Sequence, residues 1–231
     1  MYKFKNPDEI LIILQARLSS KRLPLKMIKP FAESNLVEIC IEKIKKSKEI
    51  NLDNFYFSVY EEELKNIAKK HKVNIWHRSI ESANSEGTPL TELFDWWDKF
   101  KGYKYAIVIS ACCPLLKTSS IDDFIRKYCD SESDGMLSVF ERKSYFWDHN
   151  FKLITPWPKG LEIMNTKFVK PTYETCHSLY AGNLSKIGDG IWMGRFDMPG
   201  DIELFTISEK ESLDIDNQEQ FEIVESIYKK S

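Results

Sequence analysis

The sequence predicts an α/β fold in three layers, with helices on both faces of a mostly parallel sheet and a small extension late in the chain. Two observations carry this. Short apolar runs alternate with amphipathic helical segments through residues 10–140, and that rhythm favours parallel strands joined by right-handed crossovers. The length of 231 residues suits one such domain, 1–231, and a chain 42% hydrophobic and 29% charged has the make-up of an ordinary globular protein.

The first strand, 10–14, is an apolar run that stops at Gln15, and a short run bounded in this way reads as buried. Within 36–50, Leu36, Val37, Ile39, Cys40, Ile41 and Ile44 lie at helical spacing beneath a lysine-rich outer face. Residues 51–54 read as a loop and 55–59 as a strand. Residues 61–71 read as a helix with Leu64, Ile67 and Ala68 inward, and 73–76 as a short strand. A polar loop spans 77–89. A helix is expected over 91–99, with Leu90, Leu93, Phe94 and Trp97 on one face. Residues 105–109 form the clearest central strand. Ser119 and Ser120 before Asp122 and Asp123 signal a helix start, so a helix is expected over 121–128. Another strand follows at 135–140. The rhythm then breaks: 141–200, rich in aromatics, Gly and Pro, reads as an extension of hairpin and loop character within the same domain, serving as a dimer surface or small core. A strand at 202–207 and a helix at 218–229 close the chain.

Net charge is −2, so no bulk field recruits nucleic acid. No apolar run approaches the ~20 residues of a membrane span, and the first residues lack a signal peptide's apolar core. Five cysteines without framework spacing point to a reducing compartment, the cytoplasm. The adjacent Cys112 and Cys113 read as small, partly buried residues.

Two constellations carry chemistry. After Gln15 come Arg17, Lys21, Arg22, Lys26 and Lys29, with Ser19, Ser20 and Pro24 between them and no acid from residue 10 to 32. Such a loop at the carboxyl end of a first strand sits where open α/β sheets bind ligands. Backbone amides and fixed cations there suit a triphosphate; a solvated basic face is the other reading. Neither GxxxxGK[ST] nor GxGxxG is present, so phosphate handling rests on side-chain charge. Near the end, Asp214 and Asp216 stand at i and i+2, on one face of an extended segment. Mg²⁺ takes one or two carboxylates with phosphate oxygens and water. Either acid also fits as N-cap of the last helix, and the two roles are compatible.

ARLSSKRLPLK resembles the opening motif ARxxSKxxPxK of the cytidylyltransferases that make CMP-sialic acid and CMP-Kdo, matching at Arg17, Ser20, Lys21, Pro24 and Lys26. SLDIDNQEQF is similar to the near-terminal SIDIDTxxDF of the sialate enzymes. The resemblance implies a Rossmann-like fold in which the extension over 141–200 reaches a partner subunit, hence a homodimer. It also implies transfer of CMP from CTP to a small acidic acceptor, a nonulosonic or Kdo-like sugar acid, with release of pyrophosphate. Arg17 and Lys26 are then catalytic, Gln15, Ala16, Ser20 and Lys21 bind nucleotide, and Asp214 and Asp216 hold Mg²⁺. A family segment RPxELAxD, which contacts base and ribose, falls on RSIESANSEGT and matches at Arg78, Glu81 and Ala83. It implies that Arg78, Ala83 and Asn84 read the cytosine, against a plain surface loop.

The family's QPTSPLR falls on SACCPLLK, matching at Pro114 and Leu115. Ser110 and Lys117 become substrate-binding candidates, and the acceptor contacts differ from those of either subfamily. HSLYAGN takes the place of an NGAIY-like strand, with His177 and Tyr180 toward the acceptor; a structural role is the other reading for the histidine. Met27 stands where an asparagine often follows the motif lysine. A nucleotidyltransferase for a different acceptor, or a non-catalytic nucleotide-binding homologue, remains an open alternative.

Overall fold

The architecture, seen in a computed structural model that describes residues 2–230, grows from β1 (Ile10–Gln15). This strand is buried along its apolar run, and its side chains alternate between two cores, as strand geometry requires. Ile10, Ile12 and Leu14 enter one core, Leu11 and Ile13 the other. β2 (Phe55–Val59), β3 (Asn74–His77) and β4 (Tyr105–Ile109) build out from it, followed by β5 (Gly135–Arg142), β6 (Thr172–Asn183) and β7 (Ile202–Thr206). The sheet order is β3-β2-β1-β4-β6-β5-β7. β1 pairs in parallel with β2 and β4, β2 with β3, and β5 with β7, while β6 runs antiparallel to both β4 and β5. The sheet is thus mostly parallel, as the alternating rhythm predicts.

One face is covered by α1 (Leu36–Lys46), α2 (Glu62–His71), α5 (Thr118–Cys129) and α6 (Gln218–Tyr228). Among the described residues the opposite face carries no long helix. There the expected helix over 91–99 shrinks to α4 (Leu90–Leu93), continued by turns through residue 102. Phe94 and Trp96 are both buried, and residues i and i+2 cannot share one helical face. The turns allow both to face the sheet beside Trp192, whose ring centroid lies 4.9 Å from that of Phe94.

The loop expected over 77–89 contains α3 (Ile80–Asn84), capped by the Ser79 side chain accepting from the Ser82 amide. α5 begins at Thr118, three residues ahead of the expected start. The largest departure is β6. Within the expected hairpin-and-loop extension it is a twelve-residue strand, inserted between β4 and β5. Its first half is exposed and its second half buried, so neither periodicity marks it as one strand. Gly182 in β6 is required by space: a Cβ there would lie 2.4 Å from the Trp192 carbonyl. Residues 143–171 remain irregular and display Phe151, Ile154, Ile163, Met164 and Phe168 to solvent. Among the described residues no helix is long and apolar enough to cross a membrane.

Candidate active site

A cleft of about 810 Å³ opens at the carboxyl end of β1. One wall is the basic loop, from Gln15 to Met27; the other is Arg78 with residues 84–87, and Cys112 reaches in from the loop after β4. The basic loop is held by its few apolar side chains. Leu23 and Met27 are buried in the core, and Leu25 takes a left-handed φ of 56° that turns the chain tightly enough for the Lys26 amide to reach the Leu23 carbonyl at 3.2 Å. The Leu18 amide donates to Glu61 Oε1 at 2.7 Å.

Every motif cation in this loop has a partner. Arg17 Nη1 donates to the Ala83 and Ser85 carbonyls at 3.2 and 3.1 Å. Lys21 pairs with Glu86 at 2.9 Å, an exposed pair that adds little to stability. Arg22 Nη1 reaches Asp216 Oδ2 at 2.7 Å, and Lys26 Nζ reaches Asp216 Oδ1 at 3.2 Å and the Ile215 carbonyl at 2.6 Å. The Lys26 side chain is 8% exposed. Burial pulls its ammonium down, but Cys112, Asp214 and Asp216 outweigh burial and hold it above its ordinary value. Lys26 is therefore a fixed positive charge at the floor of the cleft.

The structure brings the two ends of the chain together here. The extended segment 214–216 is pinned on both edges: the Ile215 amide donates to the Cys112 carbonyl at 3.0 Å, and its carbonyl accepts from Lys26. The capping role expected of Asp214 or Asp216 falls instead to Asn217. Its side chain accepts from the Gln220 amide, and Gln220 returns a bond to the Asn217 amide at 3.1 Å. Both acids are thereby spared that duty. Asp214 Oδ1 is buried and has no hydrogen-bond partner. Burial, and then the charge of Asp216, lift its carboxyl above the usual range against the pull of Lys26. A buried carboxylate oxygen left unpaired is costly, and a hard cation is the partner it suits. No group of three or more His, Cys, Asp or Glu among the described residues forms a protein cage for a metal. Neither acid is part of the cleft lining, but Asp216 contacts the lining residues Arg22 and Lys26, and a carboxylate pair beside such a cleft fits Mg²⁺, which shares its shell with phosphate and water.

On the opposite wall Arg78 is 5% exposed. Its Nε donates to Ser82 Oγ at 3.1 Å and its Nη2 to the Ser82 carbonyl, and burial pushes the guanidinium down to about 10. It braces α3 while lining the cleft. Asn84 also lines the cleft; Ala83 contributes its carbonyl, which Arg17 holds. Ala16 and Ser20 line the floor and the loop side. Gln15 lines the cleft too, and it donates to the Leu93 carbonyl at 3.2 Å and accepts from Trp96 Nε1 at 3.1 Å. It ties β1 to the 90–96 segment.

The remaining candidates stand off the cleft lining. Ser110 Oγ accepts from the Cys112 amide at 3.2 Å. Lys117 is exposed at the start of α5, its amide donating to Glu211 Oε1 at 3.1 Å. His177 and Tyr180 hydrogen-bond to each other on β6. Burial raises the Tyr180 phenol, with Cys113 and Asp214 adding to the effect, and His177 acts electrostatically on Asp214, so the pair flanks the acid segment. Sequence reasoning missed Glu211. It is 4% exposed and also accepts from Ser120 Oγ and from Ser208 Oγ at 2.7 Å. Burial pushes its carboxyl up, but these bonds and the Lys117 amide outweigh burial and hold it below the usual range. No motif marks a buried acid between polar neighbours. Cys112 is partly buried, as expected, and it also supplies part of the cleft wall, which its residue type does not signal.

Comparison with known proteins places this geometry. Residues 11–173 match a protein-family model described as cytidylyltransferase. No curated protein matches the chain in sequence. Among solved structures, a CMP:2-keto-3-deoxy-manno-octonic acid synthetase complexed with CTP superposes with a TM-score of 0.71 at 10% identity, over 96% of this chain and 99% of that one. A 4-diphosphocytidyl-2C-methyl-D-erythritol synthase from Anaerococcus prevotii gives 0.66 at 14% identity, over 96% and 97%. A cytidylyltransferase from Leptospira borgpetersenii serovar Hardjo-bovis gives 0.62 at 17%, over 96% and 87%. At such identities the likeness is one of fold.

Proposed function

We propose that this chain, which belongs to the cytidylyltransferase family and is therefore a nucleotidyltransferase, moves CMP from CTP onto a small acidic acceptor, a sugar acid, with release of pyrophosphate. The observation that carries the reading is the ion pair of Asp216 with Lys26, which lines the same cleft as Arg17. Cations for a polyphosphate and carboxylates for its counter-ion share one site. The similar structures support cytidylyl transfer in general, to Kdo in one and to methylerythritol in another. The acid acceptor rests on the two sequence motifs.

The acceptor hydroxyl oxygen attacks the α-phosphorus of CTP in line and gives up its proton to water; the bond from that phosphorus to the bridging oxygen breaks, and pyrophosphate leaves with the electron pair. Negative charge grows on the α-phosphate and on the leaving oxygen. Lys26, fixed and protonated, neutralises the first of these, and Arg17 turns from its loop carbonyls to meet it. Ser20 and Lys21 hold the triphosphate tail. Arg78, Ala83 and Asn84 form the base side, where a wrong base leaves polar groups unpaired. Asp214 and Asp216 would hold Mg²⁺, which when bound neutralises phosphate charge and orients the reacting oxygens. Ser110, Lys117, His177 and Tyr180 frame the acceptor side. No side-chain nucleophile is required, since such transfer is largely positioning and electrostatics.

The exposed apolar side chains over 143–171 support a homodimer through the extension, and the five free cysteines support a reducing compartment, the cytoplasm. The test is pyrophosphate release from CTP and Mg²⁺ with a panel of acceptors. Release with a nonulosonic or Kdo-like acid is the expected result. Release only with an uncharged polyol overturns the acid acceptor and keeps the cytidylyl transfer.

A further inference from the structure

Both oxygens of Asp216 are taken. Oδ2 receives Arg22 at 2.7 Å and Oδ1 receives Lys26 at 3.2 Å. A carboxylate whose lone pairs face two cations is a poor ligand for a dication, which those same charges repel. Asp214, two residues away, has the opposite condition: its Oδ1 is buried and unpartnered. The acid pair is thus asymmetric, one member free and the other blocked.

The two blocking cations differ. The Lys26 side chain is 8% exposed and is also pinned by the Ile215 carbonyl. The Arg22 side chain is 70% exposed and holds Asp216 alone among its described ion pairs. Arg22 also lines the cleft beside Lys21 and Ser20. A triphosphate arriving there offers the planar guanidinium pairs of phosphate oxygens with more than one negative charge, a stronger partner than one carboxylate that it shares with Lys26.

We propose that Arg22 is a positioning residue that acts as a placeholder: it occupies Asp216 while the cleft lacks nucleotide and leaves for the triphosphate, so that the divalent ion and the nucleotide enter together. This rests on Asp214 and Asp216 as the metal ligands. By linkage, nucleotide raises metal affinity, and part of that coupling resides in the Arg22–Asp216 contact.

The test is Mn²⁺ binding to the full chain, followed through the signal of free Mn²⁺ in electron paramagnetic resonance, with and without CTP. Arg22→Gln removes the placeholder at an exposed position. It is expected to tighten nucleotide-free Mn²⁺ binding by about 5-fold or more, the low end of measured coupling between sites, and the gain disappears when CTP is present. Lys21→Gln removes the same charge from the same loop, but its partner is Glu86; it is expected to change nucleotide-free binding far less. Equal affinity in wild type and Arg22→Gln, or an equal gain in Lys21→Gln, overturns the placeholder. Asp214→Asn, which leaves the Arg22 contact in place, separates the two layers of the argument. If it binds Mn²⁺ as wild type does, the metal reading fails and the placeholder falls with it. If it loses Mn²⁺ while Arg22→Gln gains nothing, the placeholder alone fails.

Discussion

At the scale of single residues, charge and burial divide the labour. Lys26 is the one basic-loop cation that the fold encloses, and a buried ammonium persists only because carboxylates face it. Lys26→Met keeps the stem and removes the charge. Turnover in a pyrophosphate-release assay is expected to fall by about 10²- to 10³-fold, the scale of one lost transition-state contact, with far-UV circular dichroism unchanged. Arg17→Ala is expected to do the same, since the carbonyls it holds then have water to accept from. Near-normal turnover in either pure variant removes that residue from the catalytic role. Spacing in the sequence made these residues visible, because ARLSSKRLPLK places fixed charges beside a strand end. It gave no sign of the bond that Gln15, marked there only for nucleotide, accepts from Trp96, eighty-one positions away.

At the scale of elements, Glu211 does what no motif announced. It joins the start of α5 to the segment that leads into Asp214, accepting from the Lys117 amide, Ser120 and Ser208. Glu211→Gln turns an amide donor toward groups that already donate, and is expected to cost about 1–3 kcal/mol in urea unfolding at neutral pH. The sign of its pH dependence follows from its lowered carboxyl. The stabilisation is whole above the unfolded carboxyl's value, near ~4.3, and is lost as pH falls through the still lower folded value. The gap between wild type and Glu211→Gln therefore narrows on acidification; a gap constant with pH removes the charged role. β1 and β4 were legible because buried parallel strands read as unbroken apolar runs. β6 was not, since half of it is exposed and its pairing depends on strands far apart in sequence. The segment after α4 was misread because aromatic content alone does not say whether a helix or a run of turns brings Trp96 inward.

At the scale of the molecule, the chain closes on itself at the site and leaves its apolar excess elsewhere. Residues 15–27 and 214–216 meet because β1 is central and α6 returns to the same sheet face. The irregular stretch 143–171 lies apart from the basic loop in sequence. It packs a small aromatic nucleus, with Tyr145 5.3 Å from Trp157, and still shows Phe151 at 90% exposure, with Ile154, Ile163 and Phe168 beyond half. Exposed apolar side chains concentrated in one stretch are the material of an interface, and a stable homodimer buries roughly 1,600 Å². The expected state in sedimentation velocity is a dimer. Phe151→Asp combined with Ile163→Asp places two like charges in each half of the contact and is expected to yield a monomer. That monomer keeps its far-UV signal and its thermal shift with CTP, because neither position touches the cleft lining. A wild-type chain that sediments as a monomer at micromolar concentration removes the homodimer; a variant that stays dimeric moves the interface to another face of the sheet.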